Sequence, residues 1–441
     1  MGQSGEVRTI HADRDWQMLL SYLPDDYEQL AQEHRLINLQ WPNGKVTSAQ
    51  ALLRLILLHV GANLPLRQTV VTVAHAGGPK VSQVWLHQKM RRARPYLAAL
   101  VARLTSATAA AARPEQWAGY EMVCLDGSTV SGPGAEGSDA RIHVVLRLHD
   151  LAVRDVLVTG SAEGETLRRF LWMPEQLVIV DRGYSNPPGI ARVVDQGAAV
   201  LVRVNRGALP LYGEGQRQLD VLDWCRSLAG HRATEMAVHV VHGEGCKARR
   251  IDGRLIGIRL PDREAQDARE RVRREEGPGV SEEHLEAAAY VVLFTTAPSS
   301  RLTAARAVEA YRLRWQVELQ FKRWKSICHF DRLPNYRDDT IQSCLTAKVL
   351  LGLLLDRIGS ATMATPAEAT RRPMARQPWK LTAIVWPMIV SALMPMRLAQ
   401  AAQHLPAIAH QLDALDATPA SRQVTTFRGR FYPHCEESCA H

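Results

Sequence analysis

The chain has 441 residues, 46% hydrophobic and 22% charged, which suits two or three folded domains and excludes a disordered or low-complexity polypeptide. Its net charge of +9 favours a polyanionic partner, because a basic surface attracts phosphate whatever the sequence. Seven scattered cysteines, odd in number, argue against a disulfide framework and fit a reducing cytoplasm.

Residues 1 to about 115 read as helical. Thr47-Ser-Ala-Gln50 has capping-box spacing, and leucines recur at helical intervals from Ala51 to Val60. A second helix covers Leu66 to His75, Ala76-Gly-Gly-Pro79 breaks the chain, and Val81 to Arg94 resumes a helix ending in Lys89-Met-Arg91-Arg92-Ala-Arg94. Helix, glycine turn, helix with a basic end is compatible with a helix-turn-helix that contacts DNA through Arg91, Arg92 and Arg94. The plainer alternative is a small bundle whose basic end is solvated.

From residue 119 the period changes. Glu121 to Leu125 is a short apolar strand ending at Asp126-Gly-Ser-Thr129, and Arg141 to Leu148 and Val153 to Thr159 follow as strands. Gly164 to Trp172 reads as a helix. Leu177-Val-Ile-Val180 is apolar throughout, as in a sheet buried on both faces, and ends at Asp181. A helix opens at Asn186-Pro-Pro-Gly189, and Ala198 to Val204 gives a fifth strand. Three strand-like runs (236–241, 255–260, 290–295) and a charged stretch, Arg263 to Glu276, then suggest a mainly β insertion. One helix is expected from Thr303 to about Lys325, and helices again from 331 to 441, Ile341 to Ile358 being the clearest. Leu381 to Met396, interrupted by Pro387 and Pro395, is too short to span a membrane and reads as core. The tail His434-Cys435-Glu-Glu-Ser-Cys439-Ala-His441 fits no standard zinc spacing.

The chemistry concentrates in Tyr311-Arg-Leu-Arg314-Trp315-Gln-Val-Glu318-Leu-Gln-Phe-Lys322-Arg-Trp-Lys325, an aromatic, cations and a carboxylate at helical spacing. Asp126 and Asp181 would end neighbouring parallel strands at one sheet edge, where two carboxylates are costly unless a cation neutralises them. A pair of Mg²⁺ or Mn²⁺ ions would do so while activating water, with Glu318 from a crossing helix as third ligand. Arg314 and Lys325 would contact successive phosphates, Tyr311 could hydrogen-bond one, and Trp315 or Trp324 could stack on an unpaired base. Each residue has a plainer reading. An Asp before Gly is usually a turn residue, and Glu318 with Lys322 is an i, i+4 surface pair. Asp150, Asp155, Glu163 and Glu165 lie in loops or at a helix start, where capping accounts for them.

Taken together, these motifs resemble the DDE transposases of bacterial insertion sequences, in the group with a Tyr-Arg-Glu-Lys signature and a β-strand insertion in a ribonuclease-H-like core. Tyr311, Arg314, Glu318 and Lys325 match that signature without a gap, and Asp126-Gly-Ser-Thr129 and Val180-Asp181-Arg-Gly183-Tyr184 match the two aspartate motifs. The resemblance covers roughly residues 119 to 330. It implies an α/β fold, a ribonuclease-H-like mixed sheet with a mainly β insertion flanked by helical regions. The expected divisions are a DNA-binding domain (1–115), the first part of the core (116–206), the insertion (207–297), a helix completing the core (298–330) and a helical C-terminal region (331–441). It further implies two Mg²⁺ or Mn²⁺ ions on Asp126, Asp181 and Glu318, and DNA held by Tyr311, Arg314, Trp315, Lys322 and Lys325. The implied reaction is cleavage at the element's terminal inverted repeats and 3′-hydroxyl attack on target DNA, possible through a hairpin. A homodimer acting at the bacterial nucleoid is expected. The alternatives are a metal-dependent nuclease without strand transfer and a non-catalytic DNA-binding regulator. No phosphate-binding Gly-x-x-x-x-Gly-Lys loop is present, which speaks against a nucleotide-cofactor enzyme.

Overall fold

The structure, a computed structural model, describes residues 14–37, 46–106, 117, 119–132, 137–214, 217–277, 279–333, 338–362, 378–395, 404, 406–412 and 414. The His/Cys tail at 434–441 lies outside them. No helix among the described residues is long and apolar enough to cross a membrane.

The centre is an eight-stranded mixed sheet in the order β3-β2-β1-β4-β5-β8-β7-β6. The strands β1 (Glu121–Val130), β2 (Ala140–Arg147) and β3 (Val153–Gly160) form an antiparallel meander. The chain then crosses over so that β4 (Gln176–Val180) runs parallel to β1, and β5 (Ala199–Arg203) parallel to β4. This is the ribonuclease-H-like arrangement. The strands β6 (Thr234–His242), β7 (Arg249–Arg259) and β8 (Tyr290–Thr295) do not make a separate sheet. Antiparallel pairing of β8 with β5, Leu201 opposite Thr295, adds them to the open edge of the core, because an unpaired edge strand offers free backbone donors and acceptors.

Alternation along the central strands divides the apolar side chains between two cores. Met122, Cys124, Leu177, Ile179 and Leu201 face one side, where helices cover them. Val123, Leu125, Val178, Val180, Val200 and Val202 face the other, against Ile190 and Val193 of α6 (Pro187–Asp195). That helix starts where the sequence indicates: Asn186 Oδ1 caps the Gly189 N–H at 2.9 Å, with proline next in the first turn.

The N-terminal helices are α1 (residues 14–20), α2 (Tyr27–Glu33), α3 (Ala49–Gly61), α4 (Leu66–His75) and α5 (Gln83–Ser106). The Ser48 side chain caps α3 by accepting from Ala51 N. A run past Arg94 gives α5 a long apolar face, including Leu86, Met90, Leu97 and Leu100, which packs on α12 (Asp338–Thr362) and β3. Ser227-flanked α7 (Val221–Arg226), the charged α8 (Asp262–Glu276) and α9 (Glu282–Ala287) lie within the insertion. Ala265 alone is buried on α8, as its charge pattern indicates.

Two expected helices differ. Gly164–Trp172 forms only a 3-10 turn, Leu167–Arg169, because the Trp172 indole turns back to donate to the Leu167 carbonyl at 2.9 Å. The helix from Thr303 is broken into α10 (Ala304–Arg312) and α11 (Trp315–Ser326) by tight turns, in which Arg314 N donates to Tyr311 O and Val317 N to Arg314 O. Finally, α13 (Pro378–Leu393) is core on one face only: Trp386, Ile389 and Leu393 are buried, whereas Ile384 and Met388 are exposed.

Candidate active site

The β1–β4 register sets the two aspartates side by side. Pairing runs from Glu121 with Gln176 to Leu125 with Val180, so Asp126 and Asp181 sit one step beyond the last pair. At ordinary strand spacing their backbones are about 4.8 Å apart. The strand β1 does not end at Asp126, as the sequence suggested; it continues beside β2 to Val130 while β4 stops. Alternation puts Asp126 on the same face as Cys124, and Asp181 on that of Ile179. This is the face that α11 covers, with Cys124 Sγ 3.6 Å from the Arg314 carbonyl.

The break between α10 and α11 aims Arg314 into the site. Its Nη1 is 3.6 Å from Asp126 Oδ2, and its Nη2 donates to Glu318 Oε1 one turn along α11. Glu318 therefore pairs with Arg314 and not with Lys322, which is exposed. Tyr311, on the last turn of α10, donates its hydroxyl to Asp181 Oδ1 at 2.9 Å. Lys325 crosses to β1, its Nζ donating to the Thr129 carbonyl at 2.8 Å. A guanidinium thus links Asp126 to Glu318, and a phenol binds Asp181. Among the described residues no three His, Cys, Asp or Glu side chains are gathered closely enough to hold a metal ion.

Electrostatics distinguishes the aspartates. Burial pushes Asp126 up to about 6; its Gly127 amide and Arg314 oppose the rise, and Glu165 and Glu318 add to it. Burial acts on Asp181 too, but the Arg182 amide, Arg314, the Tyr311 hydroxyl and Arg203 outweigh it and hold this carboxyl below the ordinary range. Arg314, between so many anions, is held more firmly protonated despite its burial. A surplus of negative charge at Asp126 is what a bound cation would relieve, and all three donors are carboxylate oxygens, the ligands that Mg²⁺ and Mn²⁺ prefer. The residues fit such ions in chemistry.

Other expected residues fall differently. Trp315 is exposed (51%) at the start of α11, whereas Trp324 is fully buried and stacked on Phe330 with ring centroids 5.0 Å apart. Trp324 is therefore core and out of reach of a base. Arg92 and Arg94 are exposed on α5, and Arg91 is tied to Asp339 of α12 at 2.6 Å. Of the neighbouring carboxylates, Asp150 and Asp155 accept the Ala152 and Val156 amides at 3.1 and 2.8 Å, and Asp150 also pairs with Arg147 at 2.6 Å; Glu163 pairs with Arg169 at 3.2 Å and Glu165 with Arg141 at 3.3 Å. Sequence reasoning missed Arg141 and Arg203, and assigned Glu165 to capping. Next to Asp181 a cleft of about 480 Å³ is lined by Arg182, Arg203, Arg206 and Tyr290, among others.

This geometry agrees with what the chain is similar to. The family model described as the transposase DDE domain matches residues 117–351. The InsL protein of insertion sequence element IS186A from Escherichia coli strain K12, named as a transposase, is 29% identical over 358 residues, covering 80% of this chain and 96% of that one. The transposase for insertion sequence element IS421 from Escherichia coli is 29% identical over 359 residues, with the same coverage. Among solved structures, the piggyBac transposase synaptic complex with hairpin DNA aligns with a TM-score of 0.37 and 10% identity, over 69% of this chain and 59% of that one, a likeness too distant to inform the fold. With its model spanning more than half of the sequence, the family is decided: the chain belongs to the DDE transposases.

Proposed function

We propose that the protein cuts DNA at the ends of its insertion sequence and joins the freed 3′-hydroxyls to target DNA, using Asp126, Asp181 and Glu318 as the ligands of two Mg²⁺ or Mn²⁺ ions. The observation that carries this reading is the chain of contacts from Asp126 through Arg314 to Glu318, with Tyr311 bound to Asp181. The chemistry supplied by the ions, when bound, is activation of water and stabilisation of the leaving oxygen.

The protein's own groups prepare that site. Arg314 offsets the charge of Asp126 and Asp181, which burial would otherwise drive toward protonation. By donating to Oδ1, Tyr311 fixes the orientation of Asp181 and favours its ionised form. Arg314 and Tyr311 also lie where they can turn to a phosphate, and Lys322 and Lys325 follow on the same helix. Exposed Trp315 offers a face on which an unpaired base can stack, as a hairpin route would need. The arginine-lined cleft beside Asp181 gives a path of matching charge for the strand. The N-terminal helices then serve to bind the terminal repeats through Arg91, Arg92 and Arg94. Two ends must be joined, so the working unit is a homodimer.

A joining assay tests the reaction. Purified protein, Mg²⁺, a fragment carrying the element's own flanks and a target plasmid should yield end-specific cuts and covalently joined product. Cuts at many unrelated sequences with no joined product would replace the transposition reading with that of a nuclease.

A further inference from the structure

We propose that Glu165 is a positioning residue of this site: its carboxylate wedges between β1 at Gly127 and the turn that follows β4 and sets the spacing of Asp126 and Asp181. The inference rests on the proposed roles of those aspartates. Glu165 belongs to the loop between β3 and the 3-10 turn Leu167–Arg169, well away in sequence from both. A Cβ built on Gly127 would stand 3.0 Å from Glu165 Oε1, and one built on Gly183 would stand 2.6 Å from Oε2. Neither glycine has a left-handed φ, so the backbone could accept a side chain at either position. A side chain at either would have to displace this carboxylate. The glycines of Asp126-Gly127 and Asp181-Arg182-Gly183 thus face the two oxygens of a single glutamate.

The wedge is itself fixed. Arg141, on β2 opposite Thr129 of β1, places Nη1 3.3 Å from Glu165 Oε1. Its Cδ is 3.4 Å from the position a Gly127 Cβ would take, so the guanidinium stem closes the other side of Gly127. Both side chains are largely buried, 20% exposed for Arg141 and 28% for Glu165, which limits the positions the carboxylate can adopt. Asp126 Oδ1 accepts the Gly127 amide at 2.8 Å, so moving Gly127 moves the Asp126 carboxylate directly. Gly183, two residues after Asp181, transmits the same displacement to the turn after β4. Groups that orient metal ligands from outside are commonly worth 10–100-fold in metal affinity or activity.

The test uses the full chain and reads metal binding directly, as free Mn²⁺ by electron paramagnetic resonance without DNA, beside the Mg²⁺ concentration giving half-maximal end cleavage. Glu165→Gln keeps the shape but removes the charge that holds Arg141. Gly183→Ala keeps the charge but pushes the carboxylate aside. Both should weaken Mn²⁺ binding and raise the Mg²⁺ requirement about tenfold, with thermal melting near wild type. In a Glu165→Ala background, Gly183→Ala should add nothing, since its methyl group then meets no carboxylate. Wild-type Mn²⁺ binding by both single variants, or fully additive defects in the double variant, would overturn the proposal. Asp126→Asn is the control: if it also bound Mn²⁺ normally, the assignment of the aspartates would fail first, and the role of Glu165 with it.

Discussion

Replacing Asp126 by Asn should stabilise the metal-free protein at neutral pH while abolishing its cleavage of DNA. Burial lifts this carboxyl from the ordinary 3.8 to about 6, and its side chain is only 17% exposed. A folded-state value above the unfolded one means that the folded protein holds the proton more tightly. The resulting stabilisation is complete below pH 3.8 and is lost as pH rises through 6. Above that window the folded state carries a buried anion that the unfolded state solvates. The difference, about 2.2 pH units at about 1.36 kcal/mol each, is about 3 kcal/mol, about half of it already developed at pH 5. Asn carries no charge and avoids this cost. At about 2.1 cal/mol/K per residue, the 441 residues unfold with an entropy near about 0.9 kcal/mol/K, so Tm should rise by about 3 °C at pH 7.5. Melting curves of both proteins between pH 4 and 8 provide the assay. The gap should be small at pH 4, open by pH 6 and then stay level, and millimolar Mg²⁺ should narrow it by stabilising the wild type alone. A gap that is independent of pH, or of the opposite sign, would refute the argument.

The two tryptophans of the signature helix should separate cleanly. Trp324→Ala removes a fully buried ring stacked on Phe330 and should cost about 3–5 kcal/mol in denaturant unfolding. Trp315→Ala should change stability by less than about 0.5 kcal/mol yet lower end cleavage; equal stability losses would contradict the burial assigned here. Exposed Arg92 and Arg94 should each account for about one phosphate, so that Arg92→Ala or Arg94→Ala reduces the log–log salt slope of end binding by about 0.9. Arg91, held by Asp339, should change it less. Slopes unchanged in all three would move the DNA contact away from α5.

Strands and caps were legible because they depend on near neighbours. The all-apolar 177–180 run forms the central parallel strand β4, and Asn186 caps α6. What escaped were features decided by distant partners. Nothing near Leu313 forbids a continuous helix, and the break there accompanies the approach of Arg314 to Asp126 across the fold. Trp324 and Trp315 look alike in sequence, and only the packing of α11 against Phe330 and Gly352 buries one of them. Glu165 looked like a capping residue because the glycines that receive it are 38 positions before and 18 after it in the chain. The spacing of Tyr311, Arg314, Glu318 and Lys325 was readable, but the direction of each side chain was not. The first three turn to carboxylates or to each other, and the fourth to the Thr129 carbonyl.

The measurement that bears most directly on the triad is cleavage of a DNA fragment carrying the element's own ends, in Mg²⁺, by Asp126→Asn, Asp181→Asn and Glu318→Gln, with end binding followed in parallel. Each variant should bind the ends as the wild type does and produce no cut above background. Wild-type cleavage by any one of them would remove that carboxylate from the site and contradict the account.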